Sequence, residues 1–384
     1  MVEMKSIQVE QLHQGKLVAQ YRKAANISQS KLAEYMHVSV HTVQRLEKEA
    51  VIKDYDRRRF LVALLGIPAI SMGLGTEQHQ RETEMLLFND DPMLFIEDMV
   101  ANRWRTHLMG GPSSAAQGMG RMVKEVASLA QRFRGGEWHQ RVHTQLCLVY
   151  QLQGSVQGDL LHYDQALAQY HTAFVLAEEL DDSELKAAIR VREAIIFMRQ
   201  EKPVLAIESL RAALDMINGY GFPRLRGNIL AMLSEAYAKS QQAQECWRSI
   251  GLARRVLEQD LTLSERSHRL FHASLVAAHE GVDALLLHDY DRALRLIEKS
   301  LKIYNPTLTP SRARLLARKA EVYYGLHDIE ACTTIATEAV TLSYAVGAKN
   351  TQQRVRDLYT TLEQSPWKKE PAVIRLGLAL APSE

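Results

Sequence analysis

The feature that most constrains the fold of this chain is an internal repeat that runs through residues 154–339. Four positions at fixed offsets recur 127 residues apart in one pair of copies and 86 residues apart in a second pair. One of these positions is small in every copy, at Ala166, Ala206, Cys246, Ala293 and Cys332. Because self-similarity at a period of 20–50 residues is typical of stacked supersecondary units, the spacings of 40, 40, 47 and 39 residues predict a repeat array.

Composition makes these units helical. The chain has 384 residues, of which 46% are hydrophobic and 24% charged, and it is rich in Leu, Ala, Glu, Gln and Arg. Runs of Val, Ile and Thr are rare, which argues against a sandwich or barrel, so the fold class is predicted to be all-α. Three cysteines without paired spacing argue against a disulfide framework and favour a reducing compartment.

Each copy has a small residue at position 8, an aromatic at 11 and small residues at 20 and 27, although Gln157 and Ala284 stand at two of the aromatic positions. This pattern resembles the tetratricopeptide repeat with lengthened loops. The resemblance implies helical hairpins in which small residues let the two helices cross closely, stacked into a superhelix with a concave face. Cys246 and Cys332 then replace the alanine of a packed crossing.

The first helix of each repeat is expected to line the concave face, so positions 2, 5, 9 and 12 give candidate groove residues. The middle of this set is apolar and its ends carry amide, carboxylate and guanidinium groups, which suits a short extended peptide. A register error of one or two residues would instead place the apolar members in the core, and that alternative stays open. The candidate peptide-binding residues are Gln151, Val191, Ile195, Met198, Asn228, Glu235, Leu275, Val282, Arg314, Glu321 and Tyr324.

Residues 1–65 differ from the rest of the chain in their charge, because basic side chains outnumber acidic ones. They contain eleven basic and seven acidic side chains, against 36 and 38 in the remainder. Three short helices are predicted between Lys16 and Glu49, with Ser28 capping the second and Ser39 the third. The connection of two residues, 37–38, sets the last two helices at a large angle, which leaves the third free to enter a major groove.

The string from Ser28 to Glu47 closely resembles the phage-repressor-like (XRE/Cro) helix-turn-helix family over about 20 residues. The resemblance implies a lambda-repressor-like domain and assigns roles by position. Gln29 contacts a phosphate, and Ser39 and Thr42 lie near the DNA backbone. Base edges are read by three residues, Val40, His41 and Arg45, with Gln44 beside them. Arg can bind guanine with two hydrogen bonds, and Val can pack on a thymine methyl group.

An apolar run at residues 60–75 follows three arginines, and this pattern is similar to that of an export signal or a membrane anchor. Gly66 and Pro68 interrupt it, and 16 residues are too few to span about 30 Å of hydrocarbon. The preferred interpretation is a helix from Tyr55 to Leu65 whose apolar residues, including Phe60, close the core of the head. No membrane is therefore expected as a partner, and a cytoplasmic location is expected.

The predicted organisation has four parts. Residues 1–70 form the helix-turn-helix domain, 71–90 a linker, 91–350 the repeat domain and 351–384 capping helices. Residues 91–134 are expected to form one degenerate helix pair, joined by a loop at 110–120.

A repressor-type head joined to such repeats resembles the peptide-sensing PlcR/NprR/Rgg (RRNPP) regulators. The resemblance implies a homodimer that binds double-stranded DNA and a short signalling peptide that modulates this binding. The alternative is a repeat domain that acts as a scaffold and recruits a partner protein to DNA without a small peptide ligand.

An enzyme is not expected, because the sequence lacks P-loop, dinucleotide-binding, nucleophile-elbow and zinc-protease motifs. The pairs His139/His143 and His268/His272 have spacing that could bind a metal, but neither has a nearby carboxylate in a known pattern. No catalytic residue, cofactor or metal site is predicted.

Overall fold

The computed structural model describes residues 13–25, 27–36, 38–65, 67, 69–73, 93–136, 138–219, 221–258, 271–305 and 307–381. Within these ranges every regular element is a helix, which confirms the all-α class. The chain divides into two compact units, Met1–Phe95 and Ile96–Glu384. Most of the predicted linker at 71–90 lies outside the described residues.

The described residues 13–73 of the first unit form four α-helices and one short 3-10 helix. They are α1 (Gln14–Ala24), α2 (Gln29–Tyr35), α3 (Val40–Leu46), α4 (Tyr55–Leu65) and the 3-10 helix Ala69–Met72. Both predicted caps are confirmed: Ser28 Oγ accepts from the Lys31 amide and Ser39 Oγ from the Thr42 amide, each at 3.1 Å. These bonds satisfy amides that a helix start leaves without an intrahelical partner.

Helix α3 is shorter than the predicted span to Glu49. It ends at Leu46 because the carbonyls of Glu49 and Ala50 turn toward α1, where they accept from the Gly15 and Gln14 amides at 3.0 Å. The start of α1 is thereby capped by the backbone that follows α3. Gly15 is required here, since a Cβ would overlap the carbonyls of Leu46 and Glu47.

The core of this unit is formed by Val18, Leu32, Val43, Leu46 and Leu61, each no more than 1% exposed. One core prediction is wrong. Phe60 is 39% exposed, because the α4 face that packs inward carries Leu61 and Leu65 instead.

In the second unit, the described residues form five helical hairpins, each made of a first helix (A) and a second helix (B). The A/B pairs are α7 (His139–Asp159)/α8 (Tyr163–Glu179), α9 (Ser183–Arg199)/α10 (Pro203–Met216), α11 (Pro223–Lys239)/α12 (Ala243–Val256), α13 (Ala273–Leu286)/α14 (Tyr290–Ile303) and α15 (Thr309–Gly325)/α16 (Ile329–Val346). The repeated small position lies on the B helix every time. Its five occupants, Ala166, Ala206, Cys246, Ala293 and Cys332, are all fully buried.

All five A-to-B turns have the same backbone. A residue with positive φ stands in each turn, at Leu161, Glu201, Gln241, His288 and His327. The following amide donates to the carbonyl five residues earlier, as from His162 to Gln157. This is the Schellman arrangement that ends a helix, and its recurrence shows that the copies share one register.

Two helices precede the hairpins: α5 (Met93–Ala116) and α6 (Met119–Arg132). The predicted loop at 110–120 is wrong, because α5 resumes after a kink and runs to Ala116. The kink is at Gly111, whose φ is +83° and whose Cα lies against the backbone of Val346. Any side chain at Gly111 would overlap that backbone, so close packing against the end of α16 sets the kink.

The array ends with α17 (Lys349–Glu363), the 3-10 helix Pro366–Lys369 and α18 (Pro371–Leu380). They lie in the segment for which capping helices are predicted. Trp367 packs edge-on against the Tyr324 ring, with centroids 6.0 Å apart, and therefore docks on the last hairpin. None of the described helices is both long and apolar enough to cross a bilayer.

Candidate nucleic-acid interface and concave cavity

Helix α3 presents an exposed polar face. Val40 is 37% exposed, the Arg45 side chain is 70% exposed, and His41 and Gln44 are also exposed. The opposite face carries the buried Val43 and Leu46. The residues that the sequence assigned to base reading therefore lie together on the solvent side of one helix.

The cap residues of α3 have a structural role of their own. Ser39 Oγ lies 2.9 Å from Thr42 Oγ1 in addition to accepting from the Thr42 amide. Both hydroxyls are engaged at the helix start, which fixes where α3 begins.

Gln29 is held inside the first unit. Its amide Nε2 donates to Glu47 Oε2 at 2.7 Å, and Arg22 Nε donates to Glu47 Oε1 at 2.6 Å. Glu47 follows directly on α3, so these bonds tie α1 and α2 to the end of the exposed helix. The predicted phosphate contact of Gln29 must therefore share its amide group with Glu47.

The second unit has a cavity lined by its A helices. Every A helix from α9 to α15 contributes to it, as does α17. It is lined by Ile195, Met198, Arg199, Met232, Glu235, Lys239, Ala278, His279, Val282, Arg314, Leu315, Arg318, Asn350 and Arg354. Five of the predicted groove residues are brought together here: Ile195, Met198, Glu235, Val282 and Arg314.

Four predicted groove residues lie elsewhere. Gln151 is fully buried, and its amide donates to Cys147 Sγ at 3.4 Å. Val191 and Leu275 pack into hydrophobic clusters between the helices, because their positions face the neighbouring hairpin. Asn228 lies one helical turn before Met232 on the same face of α11, and it does not line the cavity.

The last two, Glu321 and Tyr324, line a neighbouring depression together with Lys239 and Tyr290. Sequence reasoning missed Arg199, Lys239 and Arg318, each of which lies four residues after a predicted groove position. Extending the groove face by one further helical turn would have found all three.

Charged side chains cross the cavity in a continuous network. His279 Nδ1 lies 3.0 Å from Glu235 Oε2, and Arg318 donates to Glu235 Oε1 at 3.4 Å. Arg318 also donates to Glu321 at 3.0 Å, and Arg354 donates to the other Glu321 oxygen at 3.0 Å. Helices α11, α13, α15 and α17 are thereby connected by side chains.

Burial alone would raise the pKa of the Glu235 carboxyl. The hydrogen bond from His279 and the charge of Arg318 outweigh it and hold this pKa well below its usual range. Burial would likewise raise the pKa of Glu321, but the charges of Arg318 and Arg354 lower it. Both groups are carboxylates at neutral pH.

Helix α5 lies against the first two hairpins. The guanidinium of Arg192 stacks over the Trp104 ring at 4.3 Å and donates to Gln151 Oε1 at 3.0 Å. One turn further along α5, His107 Nε2 lies 2.9 Å from Asp159 Oδ2, whose other oxygen accepts from Arg199 at 2.6 Å. Arg199 lines the cavity, so polar contacts connect α5 to the cavity wall.

Of the two histidine pairs, His139/His143 lies within the described residues. His139 and His143 have ring centroids 4.1 Å apart, and their Nδ1 atoms face the carbonyls of Phe133 and His139. His272 caps α13, and His268 lies outside the described residues. The part of the chain that the structure describes holds no group of three or more His, Cys, Asp or Glu side chains suited to a metal ion.

These features define an all-helical protein with a helical-repeat unit. No protein-family model matches the sequence. No curated protein matches it either.

Among solved structures, the chain is similar to BtubC (BKLC) from P. vanneervenii, with 19% identity, a TM-score of 0.42 and coverage of 60% of this chain and 90% of that one. It is also similar to a tetratricopeptide repeat protein from Parabacteroides merdae, with 13% identity, a TM-score of 0.37 and coverage of 74% and 99%. PlcR from Bacillus thuringiensis, in complex with the peptide PapR7 and DNA, is similar at 14% identity and a TM-score of 0.34, with coverage of 90% and 99%. Because all three TM-scores are below 0.5, these structural similarities assign no function to this chain.

Proposed function

We propose that this protein is a sequence-specific DNA-binding regulator whose repeat unit binds a short peptide that modulates DNA binding. The proposal assigns it no catalytic role. It acts as a homodimer, because one small helix-turn-helix domain buries too little surface for tight specific binding and paired half-sites double that surface.

The observation that supports DNA reading is the exposed face of α3. Arg45, Gln44 and His41 offer hydrogen-bonding groups to solvent, while the buried Arg22–Glu47 pair holds the helix end in place. A guanidinium can bind guanine O6 and N7 with two hydrogen bonds, and a carboxamide can bind adenine in the same way. The Arg45 guanidinium lies 4.0 Å from Glu49, a loose contact at an exposed site that guanine can replace.

The observation that supports ligand binding is the cavity formed by five alternate helices of the array, α9, α11, α13, α15 and α17. Its lining has apolar side chains, which can bury a ligand, and charged side chains, which can fix the orientation of that ligand. Asp159 binds both His107 on α5 and Arg199 in the cavity wall, which gives a route by which occupancy can reach the helix that follows the predicted linker.

Substitution of Arg45 tests the DNA-binding half of the proposal. Binding-site selection with the full chain should return two half-sites in inverted orientation, a whole or nearly whole number of helical turns apart. Arg45→Ala should weaken binding to that site by about 1–3 kcal/mol and relax one base pair in each half-site.

Arg45→Lys is the matched variant, because it keeps the positive charge but loses the fork that reads guanine. If Arg45 reads a base, Lys should relax specificity nearly as much as Ala. If Lys restores full affinity and specificity, Arg45 contacts phosphate only. A selection that returns no preferred sequence would refute base reading by α3, and a stable co-purifying protein would favour the scaffold function.

A further inference from the structure

Five cationic side chains among the described residues line the cavity, and four of them have carboxylate partners within ion-pair distance. Arg199 pairs with Asp159 at 2.6 Å, and Lys239 with Glu201 at 2.5 Å. Arg318 and Arg354 pair with Glu321, each at 3.0 Å. These charges are balanced inside the protein, so a ligand gains little by approaching them.

Arg314 is the exception. It lines the cavity from α15 and is exposed, and no residue in the described ranges lies within ion-pair or hydrogen-bond distance of its guanidinium. Arg314 is close enough to Glu235 for an electrostatic interaction, but the hydrogen bonds of that carboxylate are made with His279 and Arg318. Among the described residues that line the cavity, Arg314 is therefore the cation without an ion-pair partner, and it lies where solvent and ligand can reach it.

The rest of the lining is largely apolar. Met232, Ala278, Val282 and Leu315 are each at most 9% exposed, and Ile195 and Met198 contribute partly buried side chains. The cavity volume is about 80 Å³. A space of this size accommodates one end group or one side chain of a peptide rather than several residues.

We infer that the cavity binds the C-terminal residue of the peptide, with the terminal carboxylate on Arg314 and an apolar last side chain against Val282, Met232 and Leu315. This inference rests on the proposed peptide-binding function and specifies its chemistry. Guanidinium and carboxylate form charge-assisted, often paired hydrogen bonds, and the apolar wall favours an aliphatic or aromatic last residue. The remainder of the peptide lies outside the cavity.

The test uses two hexapeptide libraries with randomised positions, one ending in a free carboxyl group and the other in a carboxamide. Affinity selection with the full chain and mass spectrometry should recover binders from the free-acid library, enriched in apolar last residues. The strongest binder is then made in both forms. Amidation should weaken it about ten- to a hundredfold, the value of a hydrogen-bonded charge pair.

Arg314→Gln should weaken the free-acid peptide by the same factor and leave the amidated form unchanged, because both changes remove one interaction. Arg312→Gln is the matched control: Arg312 lies on the same helix outside the cavity, where it pairs with Glu338 at 3.6 Å. It should bind both forms as the wild type does. Thermal melts of both variants show whether they fold.

The outcomes separate two failures. If the carboxamide library binds as well as the free acids, or Arg314→Gln binds the free acid normally, terminal anchoring is wrong and peptide binding stands. If neither library binds, both the anchoring and the proposed peptide-binding function are refuted. The comparison of acid with amide on the wild-type chain requires no variant to fold.

Discussion

The buried ion pair between Arg22 and Glu47 gives the sharpest test of how the first unit is held together. Their side chains are only 8% and 9% exposed. Arg22 Nε donates to Glu47 Oε1 at 2.6 Å, and its Nη1 donates to the Ile27 carbonyl at 2.7 Å. Glu47 also accepts from Gln29 at 2.7 Å, so removing Arg22 leaves a buried carboxylate with one neutral partner.

Breaking a buried pair in this way costs about 3–5 kcal/mol, because the remaining charge stays out of water without compensation. A small domain has only a few kcal/mol of stability in total. We therefore expect Arg22→Met to raise amide hydrogen exchange across residues 14–65 by about a hundredfold or more, at 1.4 kcal/mol for each factor of ten. DNA binding should be lost with it.

Exchange is measured on the full chain by mass spectrometry, with peptides from the repeat unit as internal controls. Tryptophan fluorescence would not report unfolding of the first unit, since all four tryptophans lie outside the first 100 residues. The double variant Arg22→Met/Glu47→Leu removes both charges and should recover most of the protection. Unchanged exchange in Arg22→Met, or a double variant as unprotected as the single one, would refute this account of the pair.

Two further predictions concern buried titratable groups of the repeat unit. Asp283 is fully buried, which raises the pKa of its carboxyl well above its ordinary 3.8, with the nearby charge of Glu235 adding to the shift. A raised folded-state pKa stabilises the fold at low pH, and this contribution is lost as the pH rises above 3.8. Thermal melts across this range should therefore show a flatter pH dependence and a higher neutral-pH Tm for Asp283→Asn, and parallel curves would contradict the argument. Burial also raises the pKa of the Cys332 thiol to about 12, so iodoacetamide at pH near 8 should alkylate it only after denaturation; mass spectrometry that finds Cys332 modified in the native protein would contradict its packing in the helix crossing.

Much of the local structure was predictable because it depends on residues close in sequence. Ser28 and Ser39 cap α2 and α3 by accepting an amide three residues later, and the sequence contains that whole interaction. The span of α4 was predictable for a similar reason, since an apolar helix ends where Gly and Pro follow. The inward face was harder to assign: Phe60 was expected inside, and the choice between it and Leu61 depends on how α4 packs.

The candidate sites show the same division. The polar face of α3 follows from spacing within seven residues, so His41, Gln44 and Arg45 could be grouped without the structure. The groove candidates depended on the orientation of successive A helices, and a small rotation moves a residue from groove to core. Val191 and Leu275 pack between helices for that reason, whereas Ile195 and Val282 reach the cavity.

The sequence by itself determined the helical class, the helix caps and the recurring small position that is buried at Cys246 and Cys332 as at its alanines. Each of these follows from short-range hydrogen bonding or from a steric need repeated at a fixed spacing. Only the tertiary structure decided that α5 continues past Gly111 and that Gln29 bonds Glu47. It also decided that, within the described residues, Arg314 alone among the cavity cations has no carboxylate within ion-pair distance. These outcomes depend on partners that lie far away in the chain, and side-chain charges pair according to distance in space.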